Sequence, residues 1–205
     1  MARPPNTTAL AEKVFEKVAN RGLLLQSGIE FPSATTTICG TPVSGSWWSH
    51  PKSSLIHWVL EELDDHPHLT TAKLINGKVT IIHLDLWPPL VAVGCAHEPW
   101  QLARLTPLAK SLLKKASRES FRLDELRSRI DGKPSDAIRA LEKRLLIHTH
   151  EIHTDQGKHT KFVRSWENWW ASDDRRRSVT LPSVEDAKAT IEEAVAGFDV
   201  KLPWW

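Results

Sequence analysis

Two sets of side chains in this sequence have the types and spacing to bind a ligand. The first is Ser135, Arg139 and Lys143, followed by Lys158, His159 and Lys161. Asp136, Arg139 and Lys143 are spaced by three and four, so a helix through them carries all three on one outward face. Lys158, His159 and Lys161 lie in a segment of alternating polar and apolar residues, as in a strand. Together they offer donors for phosphate oxygens and base edges. The second set is Ser46, Trp47, Trp48, His50 and Lys52. Small residues at Gly40, Ser44, Gly45 and Ser46 allow close backbone approach there, while the indoles supply stacking faces and His50 and Lys52 supply donors. That loop could clasp a nucleotide or another anion, or it could seal the core beneath it.

Other combinations carry less. His148 and His150 share one face of a strand and His153 takes the other, so with His159 opposite no three imidazoles converge and no metal site is assigned. Exposed histidines near phosphates are the use expected of them. His66-Pro67-His68 beside Asp64 and Asp65 mimics a catalytic cluster, but its polar surroundings read as a solvated loop. Cys39 and Cys95 lie far apart among apolar residues, which suits buried free thiols. There is no Gly-x-Ser-x-Gly elbow, phosphate loop or dinucleotide fingerprint. No catalytic residue and no cofactor is assigned.

The elements that hold the first set follow from periodicity. Thr106 and Pro107 open a helix with Leu108, Leu112, Leu113 and Ala116 inward. Phe121-Arg122-Leu123 suffices only for a stub strand, and Leu123, Leu126 and Ile130 stripe a second helix. Asp131-Gly132-Lys133-Pro134 turns the chain. Ser135 then caps a third helix with Ile138, Leu141 and Leu145 inward, and Ile147–His153 and Lys158–Val163 form a hairpin about Asp155-Gln156-Gly157. Three helices and a hairpin in this order make a winged helix, whose third helix can enter a major groove.

Upstream, Thr8 should cap a helix carrying Leu10, Val14, Phe15 and Val18, which ends near Gly22. Leu23-Leu24-Leu25 is a short buried run, and residues 38–53 read as a structured loop. A helix then starts at Ser53 or Ser54 with Leu55, Ile56, Val59, Leu60 and Leu63 inward. Asn76-Gly77 predicts a hairpin between Ala72–Ile75 and Lys78–His83, and Asp85 caps a helix through Leu90–Val93. Downstream, Trp166, Trp169 and Trp170 share one side of a short helix docked on the N-terminal half. Residues 173–177 read as a linker, and Ser183 with Asp186 caps a last helix through Val195. The terminal Trp204-Trp205 is costly to leave in water, so it should pack on the body or on a second copy of the chain in a homodimer.

Charge is distributed unevenly. From Arg104 to Arg164 there are 15 Lys and Arg against 8 Asp and Glu, a net of +7, while the rest of the chain has 12 against 17, a net of −5. Concentrated basic charge is the footprint of a phosphate-binding surface. No stretch approaches ~18 consecutive apolar residues, and the N-terminus lacks the apolar core of a signal peptide, so a cytoplasmic protein without membrane contact is expected. Ten Trp and no Tyr is an unusual aromatic usage. Packing is the default role for most of these rings.

The run from Ala72 through Asn76-Gly77-Lys78 and His83 to Trp87-Pro88-Pro89-Leu90 resembles the hairpin-then-helix segment of winged-helix proteins related to the AlkZ DNA glycosylases. The resemblance spans roughly residues 10–165. It implies a DNA-binding winged-helix protein of a bacterial family linked to DNA repair. The Gln-x-Gln motif that positions the attacking water in those glycosylases is absent, since Gln26, Gln101 and Gln156 are isolated. Fold and DNA partner therefore transfer, and catalysis does not.

The expected fold is α+β, with an N-terminal helix, loop and β-hairpin unit at 1–100, a winged helix-turn-helix at 101–171 and a helical tail at 172–205. The expected function is non-enzymatic DNA binding by an accessory or regulatory factor. A glycosylase-like DNA-modifying enzyme using the Trp47–Lys52 loop and a protein-interaction module are the alternatives.

Overall fold

The computed structural model describes residues 3–127, 130, 132–153 and 159–205; the side chains of Arg127, His153 and His159 lie outside that description. In chain order the elements are α1 (Thr7–Arg21), β1 (Leu23–Leu25), α2 (Ala34–Cys39), α3 (Ser53–Asp64), β2 (Leu69–Lys73), β3 (Val79–His83) and α4 (Trp87–Cys95). There follow α5 (Pro99–Leu102), α6 (Pro107–Arg118), β4 (Phe121–Arg122), α7 (Leu123–Arg127), α8 (Pro134–Lys143), β5 (His148–His153), β6 (His159–Arg164), α9 (Trp166–Ala171), α10 (Asp174–Arg177) and α11 (Val184–Ala194). Helices and two antiparallel three-stranded sheets, ordered β1-β3-β2 and β4-β6-β5, make the chain α+β. Among the described residues no helix is long and apolar enough to cross a membrane.

The chain forms two units. The first comprises residues 1–87 with 190–203 and 205, and the second comprises 88–189 with 204.

In the first unit Val14 and Val18 of α1 meet Ile56, Val59, Leu60 and Leu63 of α3 over Leu24 and Ile81. Each fully buried aliphatic side chain of this kind contributes roughly 1.5–3 kcal/mol. The start of α1 differs from expectation: the helix begins one residue before Thr8, and the buried Thr7 hydroxyl donates to the Pro4 carbonyl at 2.7 Å. Leu23-Leu24-Leu25 is β1, paired antiparallel with β3 from Leu23↔Ile82 to Leu25↔Thr80. Part of the expected loop is helical instead. Ser33 accepts from the Thr36 N–H to open α2, and Gly40, left-handed at φ 78°, closes it.

The Asn-Gly turn lies where the sequence puts it, but the first strand runs earlier, Leu69–Lys73, and the second starts one residue later, at Val79. The last β2–β3 pair is Lys73↔Val79, leaving five residues in the turn. Leu74 and Ile75 are both buried, which breaks the alternation a strand would need. Asn76 at φ 52° and Gly77 at φ 65° supply the left-handed corner. Asn76 also exchanges two hydrogen bonds with Lys201, at 2.8 and 2.7 Å. Asp85 is no helix cap: its carboxylate holds His83 Nδ1 at 2.9 Å. Trp205 stays 62 % exposed, its N–H donating to Glu192 at 2.9 Å, so packing on the body does not cover it.

In the second unit the Thr106 side chain accepts from the Ala109 N–H with Pro107 at the first helical position, as the sequence predicts. Leu112 and Ala116 of α6, Phe121, Leu123, Leu126, Ile138, Leu141 and Val163 form its core. Leu108, Leu113 and Ile130 pack at the edge. α8 begins at Pro134, so Ser135 is its second residue and not its cap. The reason is that proline's fixed φ suits the first helical position and its missing N–H is not needed there. Past the end of α8, Leu145 takes the left-handed conformation at φ 51°. Its N–H bonds the Glu142 carbonyl and the Leu146 N–H bonds that of Leu141, a Schellman closure that buries Leu145 outside the helix. The fully buried Gln101 donates to the carbonyls of Val93 and Arg144, both at 3.1 Å, and accepts from the Glu98 N–H at 2.8 Å.

α9 is the expected short aromatic helix. Trp166 packs directly on Gly94, and Trp169 stacks on His148 with centroids 4.7 Å apart. Residues 174–177 form a short helix rather than a linker, since Asp173 accepts from the Arg175 N–H. Ser183 accepts from the Asp186 N–H at 3.1 Å, as expected of a cap for α11.

Candidate nucleic-acid interface

α8 separates its residues by face. Ala137, Ile138, Leu141 and Glu142 are buried, while Arg139 and Lys143 stand exposed one turn apart. The Arg139 guanidinium, 61 % exposed, lies 3.6 Å from the Asp136 carboxylate. Exposed pairs of this kind are worth at most about 1 kcal/mol, so Arg139 can exchange this partner for another anion. Ser135 is partly buried at the start of the same helix.

The hairpin residues meet different fates. Lys158 lies outside the described residues, as does the turn around it, and of His159 only the backbone pairing with His153 is described. Lys161 does not project as a solvent-facing cation. It forms an ion pair with Glu142, whose side chain is 5 % exposed, and the Thr149 hydroxyl donates to the same carboxylate oxygen at 2.7 Å. α8 and both hairpin strands are thereby pinned together. Glu142 neighbours the inward positions 138, 141 and 145, which is the sequence signal for a buried carboxylate needing a partner. His148 is another correction, since the sequence suggests an exposed histidine there. It is 3 % exposed, and burial above all, then the nearby cations, holds it well below the usual histidine range as a neutral ring.

In the other unit the aromatic loop is half open. Trp47 and Trp48 stack at 4.0 Å, with Trp47 against the core and Trp48 65 % exposed. Lys52 Nζ donates to the Cys39 carbonyl at 3.2 Å, and His50 Nδ1 accepts from the Lys52 N–H at 3.1 Å. The Lys52 ammonium fastens the loop to the end of α2 and the bond to His50 tightens the loop itself, leaving Trp48 and Ser46 as its exposed faces. Trp48→Ala is expected to cost about 1 kcal/mol or less in thermal unfolding. A drop of ~3–5 kcal/mol would show that the ring is core.

Sequence separation hid one further grouping. His66 and His68 meet His83 around Phe15, with centroids 5.5 Å apart for 66–68 and 6.4 Å for 68–83. Burial and the two neighbouring imidazoles push His66 below its ordinary range. Among the described residues no group of His, Cys, Asp or Glu is arranged to hold a metal ion. Neither thiol is activated: burial pushes both Cys39 and Cys95 upward, the latter helped by Glu167. A groove of about 420 Å³ runs along α6 between Lys110, Lys114, Ser117, Ser165 and Glu167. The predicted residues of α8 do not line it.

No protein-family model matches the sequence, and no curated protein matches it. Among solved structures, the Streptomyces sahachiroi DNA glycosylase AlkZ is similar over 94% of this chain, at 13% identity and a TM-score of 0.43. The chain spans 57% of that protein's length.

Proposed function

We propose that residues 101–171 are a winged helix-turn-helix domain that binds DNA, between a unit at 1–100 and a helical tail at 172–205. The protein acts without catalysis, as an accessory or regulatory factor. Support for the module comes from the order α6, β4, α7, α8, β5, β6 and from the pairing β4-β6-β5, in which the stub strand edges the hairpin. The observation that carries the reading is the exposed Arg139–Lys143 face on a helix whose other face is buried. A helix so held can lie in a major groove with an Arg and a Lys toward base edges or phosphates.

The test is duplex DNA binding by the full chain across a salt series. Arg139→Glu with Lys143→Glu should leave the circular dichroism unchanged, because neither side chain is in the core. It should abolish retention at ~100 mM salt and flatten the salt slope by ~0.9 for every phosphate that is no longer neutralised. A wild type without salt-dependent binding to single- or double-stranded DNA at micromolar concentration would end the reading in favour of a protein-docking module.

The exposed ring of Trp48, on which a base can stack, favours a second reading: a glycosylase-like DNA-modifying enzyme working at the Trp47–Lys52 loop. Loss of single-strand binding in Trp48→Ala, with duplex binding intact, would support it.

A further inference from the structure

Behind the hairpin, two guanidinium groups converge on one hydroxyl. Arg164, the last residue of β6, donates from Nη1 to Ser172 Oγ at 3.4 Å, and Arg176 of α10 donates from Nη2 to the same oxygen at 2.9 Å. Ser172 Oγ donates its own proton to the Trp169 carbonyl at 2.8 Å, so both its lone pairs face cations. Arg176 also donates to that carbonyl at 2.7 Å and lies 4.4 Å above the Trp169 ring. Arg164 Nε donates to His148 Nδ1 at 3.4 Å, which requires that nitrogen to be unprotonated and leaves the imidazole uncharged.

Asp173 is the carboxylate facing the pair; its Oδ2 lies 3.8 Å from Arg176 but is shared with Arg175 at 3.2 Å. No carboxylate pairs with Arg164 among the described residues. Burial and the neighbouring Arg176 push the Arg164 guanidinium down to about 10. Two like charges held this close, one of them without a counterion, are stabilised when an anion joins them. Ser172 is exposed, so the approach from solvent is open, and His150, 5.9 Å from His148 on the same strand face, stands beside Arg164.

We propose that Arg164 and Arg176, held side by side across Ser172, form a binding site for a phosphate group. Tetrahedral oxygens can accept from both planar forks at once, where a single carboxylate such as Asp173 reaches one. The phosphate comes from one of two sources, a nucleic-acid backbone or a free phosphate. The site does not depend on α8 reading DNA.

Thermal unfolding of the full chain is compared in inorganic phosphate and in chloride at matched ionic strength, and nucleic-acid binding is followed across salt. Arg164→Lys keeps charge and bulk but loses the fork, and Arg164→Gln loses both. For a free-phosphate site, phosphate raises the wild-type melting temperature above the chloride value and Arg164→Lys removes at least tenfold of the phosphate affinity, while the Arg139→Glu, Lys143→Glu protein keeps it. For a backbone site, phosphate alone has no effect and Arg164→Gln lowers the salt slope by ~0.9 in a background where Arg139 and Lys143 are intact. Equal melting in phosphate and chloride, together with an unchanged salt slope in both variants, overturns the proposal.

Discussion

Replacing Lys161 by methionine is expected to destabilise the chain by about 3 kcal/mol in urea or thermal unfolding. The cause is not the loss of an attraction but what is left behind. Glu142 is 5 % exposed and cannot recover its hydration when Lys161 is removed, so its carboxylate stays in a poorly solvated site. Breaking a buried pair from one side typically costs 3–5 kcal/mol. The Lys161 side chain is 28 % exposed, which puts the value at the low end. Removing both partners reverses the sign of the argument. Glu142→Leu with Lys161→Met has no stranded charge, and such replacements are often neutral or stabilising. The double variant should therefore be more stable than Lys161→Met alone. A single variant within ~0.5 kcal/mol of wild type would mean that the pair does not hold α8 to the hairpin. The same reasoning removes Lys161 from any clean test of nucleic-acid binding, because its loss would be read first as unfolding.

Gly94→Ala is expected to lower the melting temperature, although alanine is the better helix former by about 1 kcal/mol. A Cβ at position 94 would lie 2.4 Å from Trp166 Cδ1 and 2.7 Å from its Cγ. The indole has nowhere to retreat: it is 1 % exposed and meets His148 at 5.2 Å and Trp169 at 5.6 Å edge-on. Overpacking of this kind costs typically 1–3 kcal/mol, and each kcal/mol is worth roughly 2–4 °C in a chain of this size. Trp166→Ala removes those atoms, so in that background the alanine at position 94 should cost much less than in the wild type. An increase in melting temperature for Gly94→Ala alone would show that the ring shifts freely.

The amphipathic helices were legible because their evidence is local. Leu112 and Ala116, Ile138 and Leu141, Val14 and Val18 recur at helical spacing, and every one of them is buried. The Thr106-Pro107 start and the Asn76-Gly77 corner were equally readable, since each rests on the conformational preference of the residue itself. What escaped depends on partners far along the chain. β1 is three leucines until β3 pairs with it, and α2 is a run of threonines that needs Ser33 to start it. At the candidate interface, exposure of Arg139 and Lys143 followed from period alone. The capture of Lys161 by Glu142, 19 positions away, did not, nor did the burial of His148 beneath Trp169. The two arginines at Ser172 were hidden for the same reason, because one ends a strand and the other sits in a segment that reads as a linker.

The hydrogen bonds between Asn76 and Lys201 join residues 125 positions apart. The first unit is therefore interrupted: its sheet and α1–α3 lie before residue 88, while the segment that closes on the hairpin turn comes from 190–203. On a ribosome that segment emerges after the whole of 88–189 has been made. The inserted unit can acquire its structure during synthesis, whereas the one that begins first is completed only after it. Joining ends so far apart carries the loop-closure entropy of a long chain, which slows folding more than it weakens the folded state. In the interval the β2–β3 turn lacks its two bonds to Lys201, giving chaperones and proteases a nascent species different from the finished protein.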